Sequence, residues 1–244
     1  MPLTDEQEKI RQAAVEFAKA NKKAIARRLT DPSRFVAEAN PVSVFMAGSP
    51  GAGKTEASIE LLAKLASNGA EVLRIDPDEL RSEFTGYSGD NSFLFQGAVS
   101  ILVEKIHDLA LDQKQSFLMD GTLSKYEIAK RNIERSLKKG RTVQILYVYQ
   151  EPMLAWKFVL ARELAEGRLI KSEDFVEQYF AARDVVNRLK NELGTAIRVD
   201  LLLKNNDNSR RAYEAGIERI DSHIPEKYNP DDLKRMLIGQ TNHA

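Results

Sequence analysis

The chain predicts a three-layer α/β fold: a mainly parallel five-stranded sheet between helices, preceded by an N-terminal helical extension. Three observations predict it. Five short apolar runs, β-branched or aromatic, lack the polar alternation of half-exposed strands, as expected where both faces of a sheet are covered. Stretches with helical spacing lie between those runs, the rhythm of repeated strand-helix units. The first run also leads directly into a glycine-rich loop with a helical stretch behind it.

Taken in order, residues 4–29 read as one polar amphipathic helix, with Thr4 and Gln7 as a capping box and Ile10, Ala14, Phe17 and Ala18 at helical spacing. A connector with Pro32 and Pro41 follows. Strands are expected at Val42–Ala47, 72–75, Phe117–Met119, 143–149 and 197–203. Helices are expected at 53–67, 78–83, 93–112, 124–139, 152–166 and 173–192, then at 209–222 and 231–238. Asn68-Gly69 and Lys139-Gly140 look like helix ends, and Ser124 with Glu127 like a second capping box. This divides the chain into an extension, 1–40, and one domain, 41–244, carrying a lid at about 152–172.

Composition narrows the function. The chain has 244 residues, 43% apolar and 30% charged, which excludes disordered and fibrous classes. Thirty-six basic residues balance thirty-six acidic ones, which counts against a nucleic-acid binder. There is no cysteine, so no disulfide and no thiolate chemistry. No signal-peptide pattern and no apolar run of membrane-spanning length occur, so a cytoplasmic protein is expected.

Gly48-Ser49-Pro50-Gly51-Ala52-Gly53-Lys54-Thr55 matches the P-loop pattern in full. Its glycines let backbone N–H groups turn inward as an anion nest, and the next helix aims its positive end at the phosphates. Lys54 is placed to reach the β- and γ-phosphates of a nucleoside triphosphate, and the Thr55 hydroxyl to ligate Mg²⁺. No Asn-Lys-x-Asp base reader of a GTPase is present, and Gly121, not Glu, follows Asp120. With no residue evident for activating water, the phosphoryl group is expected to pass to a bound hydroxyl, the work of a small-molecule or nucleotide kinase.

Such an enzyme needs an acceptor-side base and mobile cations over the phosphates. Asp78, in Ile75-Asp76-Pro77-Asp78 after the second strand, is the candidate base, although the same residues would also make a good helix start. Asp120 and Thr122 end the third strand and could hold substrate hydroxyls or the Mg²⁺ shell, or simply make a turn. Glu104 lies on the helix before that strand. Arg162, Arg168 and Lys171 sit in the lid region, where the alternative for Arg162 is a surface pair with Glu166. Trp156, Val159, Leu160 and Leu164 read as packing residues. Phe84, Tyr87 and Phe93 read either as core or as stacking platforms, and Asn205 and Asn206 as candidates for base contact.

Together these motifs resemble the zeta-toxin family of P-loop kinases, from about residue 43 to about 190. The resemblance implies a P-loop kinase-like fold, Asp78 as general base, and Asp78, Glu104, Asp120 and Thr122 as acceptor contacts. It implies Arg162 and Arg168 as phosphate-binding arginines. It further implies ATP and Mg²⁺ as cofactors, UDP-N-acetylglucosamine phosphorylated on its 3′-hydroxyl, and a small helical antitoxin as partner. Relatives of this fold phosphorylate other acceptors, NAD among them, and a nucleotide-gated interaction module is the non-enzymatic alternative. The chain departs from the family in Asp120 for Glu and in Leu123-Ser124 where an Arg is common. The helix at 4–29 invites two further readings, that it covers the nucleotide site in cis as an antitoxin would, or that it is a capping helix with an ordinary structural role.

Overall fold

In the computed structural model, which describes residues 3–66, 71–167, 170–204, 211–225 and 227–241, the elements are α1 (Asp5–Leu29), β1 (Val42–Ala47), α2 (Lys54–Ala66), β2 (Leu73–Ile75), α3 (Ser92–Asp112), β3 (Phe117–Met119), α4 (Tyr126–Lys138), β4 (Thr142–Tyr149), α5 (Pro152–Glu166), α6 (Ser172–Leu193), β5 (Arg198–Lys204), β6 (Arg211–Glu214) and α7 (Pro230–Thr241). The six strands form one sheet in the order β2-β3-β1-β4-β5-β6. β1 to β5 run parallel, and β6 alone is antiparallel, beside β5.

Alternation along β1 sets the layers. Val44 and Met46 face α2 and meet Ala57, Leu118, Leu146 and Val148 in a small core. Phe45 and Ala47 point to the other side, into the larger core with the buried faces of α3 and α6. α1 lies along α3, burying Ala14, Ala18, Ile25 and Ala26, and begins with the expected reciprocal cap of Thr4 and Gln7.

Three expectations are corrected. The region expected as a helix at 209–222 contains strand β6 and a short 3₁₀ turn, Ile220–Ser222. Tertiary pairing decides this: β6 takes the free edge of β5, with Leu202 opposite Tyr213. Buried Asp200 anchors the return by accepting from the Tyr213 hydroxyl and from the Gly216 N–H at 2.7 Å. The sheet therefore has six strands, not five. The expected helix at 78–83 is a 3₁₀ segment, Glu79–Glu83. α4 starts at Tyr126 without a capping box, because Ser124 Oγ is engaged with Thr122 Oγ1 at 2.9 Å. Gly140 ends the α4 region at φ 67°, as its position predicts, whereas Asn68-Gly69 lies outside the described residues. Among the described residues no helix is long and apolar enough to cross a membrane.

Candidate active site

All five parallel strands end on the same edge, where ligands of open α/β sheets gather, and a cleft of about 810 Å³ lies there. Its floor is the loop between β1 and α2. Two of the loop's glycines are fixed by close approach: a Cβ on Gly48 would stand 2.3 Å from the Val148 carbonyl oxygen, and one on Gly51 2.1 Å from that of Ala155. Gly48 and Gly51 also take φ of 133° and 71°, so no other residue fits without strain. The loop is thereby wedged between β4 and the first turns of α5. Lys54 Nζ donates to the Gly48 and Ser49 carbonyls at 3.1 and 2.7 Å, curling over the loop. Lys204, at the end of β5, donates to the Gly53 carbonyl at 3.0 Å and puts a second ammonium beside the loop.

The wall at β2 and β3 is acidic. Asp76, Asp78 and Asp120 all line the cleft. Asp76 Oδ1 accepts the Asp78 N–H at 2.8 Å, the turn that Pro77 permits. Asp78 points its carboxylate at Arg81, three residues on. Asp120 and Asp76 share one part-buried guanidinium, that of Arg74. Burial raises the Asp76 carboxyl above its ordinary range, and Arg74 offsets only part of that. The turn after β3 bonds back to the loop, the Thr122 carbonyl accepting the Gly48 N–H at 3.2 Å, and Leu123 takes a left-handed φ of 55° to make it.

The third wall is α5 and α6, with Phe158, Val159, Arg162 and Gln178 on the cleft. α5 starts on a strong cap: Glu151 accepts from the N–H groups of Met153 and Leu154, and Pro152 follows it. Gly167, at φ 70°, ends the helix against the loop at Gly89 and Asp90. Gln150, at the end of β4, is buried on this cleft with its Nε2 lacking a hydrogen-bond partner.

Of the expected site residues, the cleft brings together Pro50 to Thr55, Asp78, Asp120, Thr122 and Arg162. Gly48 and Ser49 form the root of the same loop. Arg168, Asn205 and Asn206 lie outside the described residues, as does the side chain of Glu166. Glu104 is not brought to the cleft. It stands on the outer face of α3, half exposed, with Arg131 of α4 at 3.5 Å. The cause is helical geometry: Leu102 and Ile106 take the inner face, and twelve residues into α3 the chain has run ~18 Å along the helix from its first turn. α1 supplies no residue to the cleft either, so the expected cover in cis is not formed. Phe84 and Tyr87 are core partners of Phe95, and Phe93 is exposed away from the cleft. Leu164, expected to pack, is 90% exposed.

Sequence reasoning missed Arg74, Arg81, Gln150 and Lys204. Arg81 carried a local signal, its spacing of three from Asp78. The others depend on which strands are neighbours. The Thr55 hydroxyl and the Asp120 carboxylate, both on the cleft, are the hard oxygen donors that Mg²⁺ takes.

A parallel sheet, helices on both faces and a phosphate-type loop between β1 and α2 define the class, an α/β protein of P-loop kinase-like fold. A family model described as Zeta toxin matches residues 26–218, and the chain belongs to that family. A search of curated proteins finds no match. Among solved structures, one from the PezAT chromosomal toxin-antitoxin system of the human pathogen Streptococcus pneumoniae has a TM-score of 0.63 at 18% identity, covering 99% of this chain and 97% of that one. The AvrRxo1-ORF1:AvrRxo1-ORF2 structure with sulphate ions has a TM-score of 0.58 at 15% identity, covering 95% and 84%. The AvrRxo1-ORF1:-ORF2 structure with ATP also scores 0.58, at 17% identity, covering 91% and 74%. At such identities the likeness is one of fold.

Proposed function

We propose that this chain is an ATP-dependent kinase that phosphorylates a hydroxyl of a nucleotide sugar, the 3′-hydroxyl of UDP-N-acetylglucosamine. The observation that carries the reading is the meeting, in one cleft, of the phosphate loop and an acidic wall from two neighbouring strands. The loop N–H groups and Lys54 bind the triphosphate, with the γ-phosphoryl group toward β2 and β3. Asp78 accepts the acceptor hydroxyl proton as that oxygen bonds to the γ-phosphorus and the bond to ADP breaks. Arg81 holds the direction of the Asp78 carboxylate, while Asp120 and Thr122 orient the acceptor. Arg162 on α5, with Arg168 beyond it, neutralises charge on the phosphoryl group in flight. Bound Mg²⁺ would neutralise the phosphate oxygens, held by the Thr55 hydroxyl.

Family membership and the ATP named in one structural neighbour support the donor. The toxin-antitoxin system named in another supports a protein antitoxin as partner. A kinase of metabolites works where ATP and its acceptor are, in the cytoplasm.

The test is transfer of labelled γ-phosphate to UDP-N-acetylglucosamine, run beside a pool of cytosolic metabolites read by mass spectrometry. Asp78→Asn is expected to lower kcat ~10²–10⁴-fold with Mg-ATP binding kept, and Lys54→Met to weaken Mg-ATP binding itself. Glu104→Ala is expected to stay within about twofold of wild type, since the side chain faces Arg131 and solvent. Transfer by Asp78→Asn within about threefold of wild type removes the base assignment. A different phosphorylated metabolite replaces the acceptor and leaves the kinase standing.

A further inference from the structure

Arg74 of β2 is largely but not fully enclosed where β2, β3 and α2 meet, its side chain 12% exposed. Its Nη2 donates to Asp76 Oδ2 at 2.5 Å and to Asp120 Oδ2 at 2.8 Å, its Nε to Ser58 Oγ at 3.2 Å, and its Nη1 to Glu79. Ser58 Oγ lies 3.3 Å from the same Asp120 oxygen and donates to the Thr55 carbonyl at 2.8 Å, joining the cluster to the first turn behind the phosphate loop. Asp76 spends its second oxygen on the Asp78 N–H. Both Asp76 oxygens are thus engaged inside the protein, and its task is to hold Asp78.

We propose that Arg74 is a positioning residue for phosphoryl transfer: one guanidinium sets Asp78 through Asp76 and sets Asp120 directly, locking carboxylates from two strands into one arrangement against the phosphate loop. This rests on the reading of Asp78 as the base. The physical need is plain. Asp76, Asp120 and Glu79 converge on this one side chain, and without a cation Asp76 and Asp120 would repel and turn apart. A planar fork can meet two carboxylates at once, whereas an ammonium is a single point. Burial works against the guanidinium charge, but the Asp120 hydrogen bond and the charges of Asp76, Asp120 and Glu79 outweigh it, so Arg74 stays protonated.

The test compares wild type, Arg74→Met, Arg74→Lys, Asp76→Asn and the double variant Arg74→Met/Asp76→Asn. Calorimetry gives Mg-ATP affinity, transfer to UDP-N-acetylglucosamine gives kcat and KM, and crystallography gives the turn. Arg74→Met is expected to lower kcat about 30-fold or more with KM for ATP within about threefold, because misplacement costs rate and not nucleotide binding. Arg74→Lys is expected to recover part of that loss. Adding Asp76→Asn to Arg74→Met is expected to cost less than about threefold more, since both changes act through one connection.

A kcat for Arg74→Met within about threefold of wild type, or additive losses in the double variant, overturns the proposal. If Arg74→Met does not fold, Arg74→Lys decides, and a kcat within about threefold of wild type overturns it. If wild type binds Mg-ATP but leaves UDP-N-acetylglucosamine unphosphorylated, the acceptor assignment falls and crystals judge Arg74 alone. An Asp76–Asp78 turn and Asp120 carboxylate unmoved in the variant then overturn the positioning role, and their displacement supports it.

Discussion

His107 of α3 is fully buried, its ring edge-on to Phe45 and Phe117. Burial pushes its pKa from 6.5 down to about 3, and the nearby charges of Arg135, Arg141 and Arg131 push the same way. The folded protein therefore keeps this ring neutral, while the unfolded chain protonates it below about 6.5. A depressed folded pKa means stability that is full above the unfolded value and lost as pH falls toward about 3. His107→Phe is expected to flatten that acid slope by up to ~1.4 kcal/mol per pH unit, over a baseline packing cost of about 1–3 kcal/mol. Denaturant melts of both proteins between pH 7 and pH 4 measure it, and parallel slopes would remove His107 as a source of acid sensitivity. Asp76 has the opposite sign: its raised pKa means its contribution is lost as pH rises through the folded value, the cost of keeping a carboxylate beneath the cleft.

Among the elements, α1 has a role different from the one its position invites. It covers α3 and reaches the 3₁₀ segment after Asp78 at two points. Phe17 meets Phe84 edge-on at 5.6 Å, and Arg28 makes a two-pronged ion pair with Glu83 at 2.6 and 2.7 Å. The helix thus braces the segment that follows Asp78 of the acidic wall. Phe17→Ala is expected to destabilise by about 1 kcal/mol and to leave transfer activity at or below that of wild type. Activity above wild type, measured by phosphate transfer at matched folded fraction, would bring back an inhibitory helix. β6 shows the same priority of tertiary over local preference, since its strand exists only because β5 offers an edge and Asp200 an anchor.

For the molecule as a whole, the acidic wall on β2 and β3 and the second lysine on β5 flank a central loop after β1, so the cleft spans most of the sheet. Occupying such a site ties several elements together, and a ligand bound only by the folded state stabilises it. Mg-ATP at a hundredfold excess over Kd is expected to add ~2.7 kcal/mol, raising Tm by about 5–10 °C for a chain of this length. Thermal melts with and without Mg-ATP check this, with Lys54→Met as the protein in which the shift should vanish. Wild type without any shift would remove nucleotide binding at this loop.

The parallel sheet, the phosphate loop, Asp78 and the two residues of the turn after β3 were legible because each is written in contiguous residues: apolar runs without alternation, eight positions of fixed spacing, and acids just past strand ends. Arg74, Gln150 and Lys204 were not, for strand order decides which strand end stands beside the loop, and that order is not a property of any one segment. Glu104 stands off the cleft for a related reason, since a place on the helix before β3 does not say which helix face the core will claim. Local chemistry thus determined the kind of site this chain builds. Folding decided which charges surround it, because burial, repulsion and hydrogen-bond partners arise only when distant segments pack.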